Sequence, residues 1–162
     1  MNGIVKKVIS IGGTFLLGAG VSALVVKNTM QKKVDQKQNM SDKHLDLFLI
    51  MNRWVKLKQE GREIIDYFKK NNYKHIAIYG MSYMGETLIN ELKNSDVEIV
   101  YAIDKNADNI FADVEVVGLD EELEEVDVII VTAVSFFEEV KELLVQKIDC
   151  PIVSLEEILC DV

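Results

Sequence analysis

Five short apolar segments recur through the second half of this 162-residue chain, and segments with polar or amphipathic patterns separate them. Apolar runs of strand length that alternate with helical patterns are typical of a parallel sheet covered on both faces. The sequence therefore predicts an α/β fold within residues 72–162, a small doubly wound parallel sheet of about five strands. The predicted strands are residues 75–79, 98–103, 114–117, 128–132 and 152–154.

Helical segments are predicted between and after these strands. They comprise residues 84–93, an acidic helical turn at 120–125, residues 136–146 and a terminal turn after residue 154.

A helical linker is predicted over residues 31–71, ahead of the sheet. It contains an amphipathic helix that begins at Ser41, as its N-cap, and ends at Gly61, followed by a shorter helix over residues 62–72. The amphipathic helix carries too much apolar surface to stay in water. We expect it to be buried against the sheet domain, a second copy of the chain or a membrane surface.

Residues 8–26 carry no charged side chain and are flanked by Lys7 and Lys27. At about 1.5 Å per residue, a helix of this length spans most of a hydrocarbon core about 30 Å thick. Residues 1–30 are therefore predicted to be a transmembrane anchor that contacts membrane lipid through residues 8–26. Two alternatives are a cleaved signal peptide ending near Ala23 and a buried helix of a soluble domain.

Charge is divided unevenly along the chain. Residues 1–75 carry 14 Lys/Arg against 6 Asp/Glu, whereas residues 76–162 carry 4 against 21. Binding to nucleic acid needs clustered positive charge, so the acidic second half argues against a nucleic-acid partner. The basic first half suits an anionic membrane surface.

The stretch "IAIYGMSYMGETLINEL", residues 76–92, has the pattern of a strand, a glycine-containing turn and a helix. Gly80 is expected to allow the tight turn, and Gly85 to let the helix pack closely on the strand. Ser82 stands where the GxGxxG dinucleotide-binding fingerprint has its middle glycine. Backbone N–H groups at the start of such a helix can bind a phosphate. The candidate ligand-binding turn comprises Gly80, Met81, Ser82, Tyr83, Met84 and Gly85.

Five further residues are predicted at the same edge of the sheet. Asp104 ends the second strand, 24 residues after Gly80, where an acidic residue commonly binds ribose hydroxyls. Lys105 follows it and is within predicted reach of a phosphate. Thr132, Ala133 and Ser135, at and after the end of the fourth strand, are expected to face the same crevice. No side chain at this edge is a strong general base. The sequence therefore predicts no catalytic set. It also predicts no metal site, since the two cysteines form no CxxC pair.

Residues 72–159 resemble the Rossmann-like, NAD(P)-binding or nucleotide-sugar-epimerase-like domains encoded among bacterial surface-polysaccharide genes. The resemblance is carried by "IAIYGMSYMGETLINEL", "VEIVYAIDKN", "VDVIIVTAVSFFEEV" and "CPIVSLEEIL". It implies NAD(P) or a nucleotide-sugar bound near Gly80, Ser82, Gly85 and Asp104, and it implies no particular reaction.

These observations predict a single-pass protein of the cell membrane whose C-terminal domain is cytoplasmic, the compartment in which unpaired cysteines stay reduced. We expect a nucleotide-binding accessory protein of surface-polysaccharide biosynthesis, non-catalytic alone, with a second copy or a glycosyltransferase as partner. Two other hypotheses stay open. One is a small NAD(P)-dependent oxidoreductase or epimerase-like subunit completed by a partner, and the other is a structural membrane scaffold with a vestigial crevice.

Overall fold

The computed structural model describes the backbone of residues 2–162 and the side chains of residues 30–38 and 40–162. Its helices are α1 (Asn2–Gln59), α2 (Ile65–Asn71), α3 (Tyr83–Leu92), α4 (Phe137–Leu144) and α5 (Leu155–Asp161). Its strands are β1 (His75–Tyr79), β2 (Glu98–Ile103), β3 (Val116–Val117), β4 (Val128–Val131) and β5 (Ile152–Ser154). Single 3₁₀ turns occupy Ala107–Asn109 and Val134–Phe136.

The five strands form one parallel sheet in the order β3-β2-β1-β4-β5, which confirms the predicted α/β class. Alternate residues of β1 enter two separate clusters, with Ile76 and Ile78 on one face and Ala77 and Tyr79 on the other. Because both faces are covered, the central strands are nearly continuous apolar runs. The direction of winding reverses between β1 and β4, which are neighbours in the sheet.

Helices α2, α3, α5 and the last part of α1 cover the face that contains Ile76. Trp54, Leu57 and Phe68 are 4%, 5% and 0% exposed there. One edge of the amphipathic helix is thus buried against the sheet domain, the first of the three partners considered. Phe48 and Val55 on the same helix remain half exposed or more.

The chain divides into two compact units, residues 1–45 and residues 46–162. Residues 46–71, assigned above to the linker, lie in the same unit as the sheet. Among the residues whose side chains the structure describes, no helix has the length and apolar character needed to cross a membrane. The predicted span, residues 8–26, lies outside those described side chains.

Ser41 is not an N-cap, because it lies in the interior of α1. No glycine or proline interrupts the chain between Gly20 and Gly61, so nothing in the sequence forces the helix to begin again at residue 41. The predicted stop at Gly61 is confirmed. Gly61 has φ +73°, and the N–H groups of Gly61 and Arg62 donate to the carbonyls of Lys58 and Leu57 at 3.1 and 3.0 Å. This left-handed ending satisfies two terminal carbonyls.

The predicted acidic helix at residues 120–125 is absent, and that segment is turn and extended chain. The ten residues 118–127 must cross from β3 over β2 and β1 to β4. Three strand spacings alone are about 14 Å, and the chain must also return along the length of the sheet. Ten helical residues would cover only about 15 Å. The crossover therefore has to be extended.

Candidate functional site

Gly80 follows β1 directly and makes the turn into α3 in a conformation that other residues rarely adopt, with φ +100°. A Cβ at this position would lie 2.9 Å from the Oγ1 of Thr132 and 3.3 Å from the backbone nitrogen of Ala133. The Gly80 N–H donates to the carbonyl of Ile103 at 2.8 Å. Its predicted role in the turn is confirmed, because both the backbone angle and the space require glycine.

Gly85 lies in the first turn of α3, against the backbone of Gly80. A Cβ on Gly85 would lie 2.2 Å from the Gly80 carbonyl oxygen. That oxygen belongs to the backbone of a fixed turn and cannot move aside as a flexible side chain would. The predicted close approach of helix and turn is therefore confirmed.

Thr132 supports the turn from beneath, at the end of β4. Its side chain is 2% exposed, and its Oγ1 lies 2.6 Å from the Gly80 carbonyl oxygen and 3.1 Å from that of Tyr79. The single hydroxyl proton is directed best at the nearer acceptor. Thr132 and Ala133 were both predicted to face the crevice, and of these two Ala133 lines it.

Asp104 joins two loops through its carboxylate. Oδ2 accepts from the Met81 N–H at 2.8 Å, and Oδ1 accepts from the Asn106 N–H at 2.9 Å. Since each carboxylate oxygen has two acceptor positions, one on each oxygen remains for another donor. Asp104 therefore holds the turn after β1 and keeps capacity to bind a hydroxyl.

The residues at the start of α3 differ in what they present. Ser82 is the N-cap, with an extended backbone and an exposed side chain that makes no capping bond. Tyr83 is 77% exposed, whereas Met81 and Met84 are 7% and 0% exposed and pack in the core. Only the backbone of the two methionines is thus available to the site, and the N–H of Met81 is already bound to Asp104.

A crevice of about 340 Å³ lies at this end of the sheet, which is within the size range of small-molecule sites. Of the residues predicted from the sequence, five line it: Gly80, Ser82, Asp104, Lys105 and Ala133. Met81, Tyr83, Met84, Gly85, Thr132 and Ser135 do not. The residues that line it and were not predicted are Tyr79, Asn106, Phe136 and Val140.

Tyr79 could have been found from its position as the last residue of β1, since strand ends form the crevice in such sheets. Phe136 and Val140 precede and follow the start of α4. They enter the crevice because α4 packs on this face of the sheet, which local sequence does not specify.

The chemistry of the crevice is mixed. Among the lining residues, Asp104 supplies the negative charge and Lys105 the positive charge, and Phe136 and Val140 supply apolar surface. Burial, and secondarily the charge of Asp104, raises the pKa of Tyr79, so its phenol stays protonated at neutral pH. The arrangement can hold a ligand that has both a flat apolar part and hydrogen-bonding groups.

A neighbouring depression, at the ends of β4 and β5, has a different lining. It includes Glu138, Glu139 and Glu156 beside Ser135 and Phe137. Within the part of the chain that the structure describes, no group of three or more His, Cys, Asp or Glu side chains is placed to hold a metal ion.

No curated protein and no solved structure matches the chain. A protein-family model does match, from residue 71, at the end of α2, to residue 154, at the end of β5. The match thus includes the whole sheet and every residue that lines the crevice. It covers 84 of 162 residues, more than half of the chain, and the protein therefore belongs to the family described as C2185-like, N-terminal.

Proposed function

We propose that this protein binds a nucleotide or nucleotide-sugar in the crevice and serves as an accessory protein in cell-surface polysaccharide biosynthesis. The observation that carries the proposal is the crevice between the turn at Gly80 and the carboxylate of Asp104. It lies beside the reversal of winding between β1 and β4, the place where open parallel sheets usually bind ligands. The strand order matches the first five strands of a dinucleotide-binding sheet, which supports a Rossmann-like, doubly wound fold.

The contents of the crevice support binding more than catalysis. Lys105 can pair with one phosphate group, and Asp104 can accept from sugar hydroxyls. Asp104 is held by two backbone N–H groups, so it is better placed to orient a ligand than to transfer a proton. NAD(P) and nucleotide-sugars both contain the groups that these side chains would bind.

Binding can be tested by calorimetric titration of the full-length chain, extracted in a mild detergent, with NADH, NADPH and uridine diphosphate sugars. Ser82→Trp places an indole at the crevice and should abolish binding. Tyr83→Trp is the matched control, because residue 83 is exposed, adjacent, and outside the lining. If the unaltered protein binds none of these compounds at millimolar concentration, the ligand part of the proposal is wrong.

The proposal includes a membrane anchor at residues 8–26 and a cytoplasmic C-terminal domain. Its support is the uncharged stretch between Lys7 and Lys27. Cys160 is exposed and free, whereas Cys150 is partly buried. In a Cys150→Ser variant, a membrane-impermeant maleimide should label Cys160 only after the cells are permeabilised. Labelling in intact cells, or release of the protein by alkaline carbonate, would refute this part.

A scaffold role is the second candidate, and exposed apolar side chains on α1 favour it. Phe48, Leu49 and Val55 are 65%, 52% and 50% exposed. In a scaffold, Phe48→Ser should reduce cross-linking between copies and surface-polysaccharide output, while Ser82→Trp, which fills the crevice, should leave both unchanged. The opposite pattern would favour the ligand-binding role.

A further inference from the structure

Tyr79 has a buried hydroxyl without a hydrogen-bond partner. The residue is 4% exposed, and its Oη is the one buried side-chain polar atom left unpaired among the described residues. Buried polar groups are nearly always hydrogen-bonded, because each has given up its bonds to water. An unpaired phenol inside a candidate binding site therefore requires an explanation.

A second tyrosine on the same face of the sheet provides the comparison. Tyr101, on the neighbouring strand β2, is 3% exposed and packs in the same apolar cluster. Its hydroxyl donates to the carbonyl of Glu124 at 2.8 Å. This face of the sheet thus supplies an acceptor to one buried phenol and none to the other.

The position of Tyr79 points to a ligand as the missing partner. Tyr79 lines the crevice together with Gly80 and Asp104. Tyr79 pairs across the sheet with Ile103, the residue before Asp104. Burial and, second to it, the Asp104 charge raise the pKa of the phenol. Both carboxylate oxygens of Asp104 accept one backbone N–H and retain one acceptor position each.

We propose that a sugar hydroxyl of the bound ligand lies between these two side chains, accepting a hydrogen bond from Tyr79 Oη and donating one to the Asp104 carboxylate. This inference rests on the proposed ligand-binding function and specifies which part of the ligand occupies the inner crevice. A hydroxyl can both accept and donate, which this pair of groups requires. A phosphate oxygen only accepts, and it would be repelled by Asp104.

The first test measures the unfolding of the ligand-free, full-length protein and its Tyr→Phe variants in urea. Tyr101→Phe should lower the stability, because it leaves the Glu124 carbonyl unpaired. Tyr79→Phe should leave stability unchanged or raise it, because it removes only an unpaired hydroxyl. If Tyr79→Phe lowers stability as much as Tyr101→Phe, the hydroxyl has a partner within the protein or a fixed water, and the proposal is overturned.

The second test measures ligand affinity by calorimetry, with uridine diphosphate glucose, NAD and inorganic pyrophosphate as probes. Tyr79→Phe should weaken binding of the two sugar-containing probes about tenfold, the effect of one lost hydrogen bond, and leave pyrophosphate binding unchanged. In protein labelled with ¹³C at tyrosine Cζ, the Tyr79 signal should shift with either sugar-containing probe, while that of Tyr101 should not.

The outcomes separate this inference from the function on which it rests. Equal affinity of the parent and Tyr79→Phe for the sugar-containing probes would overturn the inference and leave ligand binding intact. An equal loss for pyrophosphate would assign Tyr79 to phosphate and also overturn it. If the parent binds no probe, both the inference and the proposed function fail.

Discussion

The carboxylate of Asp104 accepts a hydrogen bond of 2.8 Å from the backbone N–H of Met81, 23 residues earlier in the chain. The bond connects the end of β2 to the turn after β1, so the two loops that form the crevice hold each other in place. A residue expected from the sequence to bind ligand is thus also part of the support of its own site.

Replacement of Asp104 by asparagine should therefore destabilise the protein even without ligand. The introduced amide would offer one acceptor oxygen, so either the Met81 or the Asn106 N–H would face an NH₂ group. We expect a loss of about 1–3 kcal/mol in the free energy of unfolding, measured in urea by the fluorescence of the single tryptophan. Asp108→Asn, the same change at an exposed position of the same loop, should have little effect. Equal losses for both variants would show that the Asp104 carboxylate does not hold the turn.

Gly85→Ala should destabilise the protein, although alanine has a higher helix propensity than glycine. Its Cβ would lie 2.2 Å from the Gly80 carbonyl oxygen, and the turn or the helix would have to shift. The cost of such overpacking, about 1–3 kcal/mol, exceeds the gain in helix propensity of up to about 1 kcal/mol.

Gly118→Ala is the control for that change. The Cβ there would lie 2.6 Å from the carboxylate end of Asp120, a flexible side chain that can rotate away. Thermal unfolding should show a lowered midpoint for Gly85→Ala alone. A Gly85→Ala protein as stable as the parent would mean that helix and turn can separate at little cost.

Trp54→Ala should lower the free energy of unfolding by about 3–5 kcal/mol. The Trp54 side chain, on α1, is 4% exposed and belongs to the core cluster on the Ile76 face of the sheet. The neighbouring Val55 is 50% exposed, so Val55→Ala should change the free energy of unfolding by less than about 1 kcal/mol. Urea unfolding followed by circular dichroism measures both. Similar small effects would show that the end of α1 contributes little to the folded unit.

Asp127 should make stability depend on pH below about 4. Its Oδ2 accepts from the N–H groups of His75 and Lys74 at 2.8 and 2.7 Å, and these bonds lower its pKa from 3.8. The contribution of the Asp127 carboxylate to the free energy of unfolding is complete above the pKa that this group has in the unfolded chain. As the pH falls below that value, the unfolded chain binds a proton before the folded protein does. The stabilisation by Asp127 therefore decreases until the pH has passed the folded pKa.

Asp127→Asn should therefore be less stable than the parent at pH 7, and the difference should shrink as the pH is lowered through this window. Parallel urea titrations at neutral and acidic pH measure it. A difference that stays constant with pH would show that the carboxylate charge is not what these N–H groups stabilise.

Local sequence predicted the strands well because their signal is local. Residues 75–79, 98–103 and 152–154 are strands with the expected bounds, since apolar runs of that length are stable only between two covered faces. The same holds for Gly80, Gly85 and Gly61, where a short stretch of chain already specifies a turn, a close approach or a helix end.

Apart from the N-cap predicted at Ser41, which lies inside α1, the failures involve contacts between distant parts of the chain. Residues 120–125 have helical composition, but the width of the sheet forces them to extend. Thr132 was expected in the crevice and instead supports Gly80 from β4. The Asp104–Met81 bond and the entry of Phe136 into the crevice join elements that only the folded sheet brings together.

The sequence by itself determined the class of fold, the turn after β1 and the acidic residue at the end of β2, because periodicity and glycine spacing act within a few residues. Only the tertiary structure decided which of those residues line the crevice, and that Tyr79 ends there with its hydroxyl unpaired. The physical reason is that hydrogen bonds and burial depend on which strands are neighbours. The turn at Gly80 was thus readable from the sequence, whereas the partners of Asp104 and Tyr79 were not.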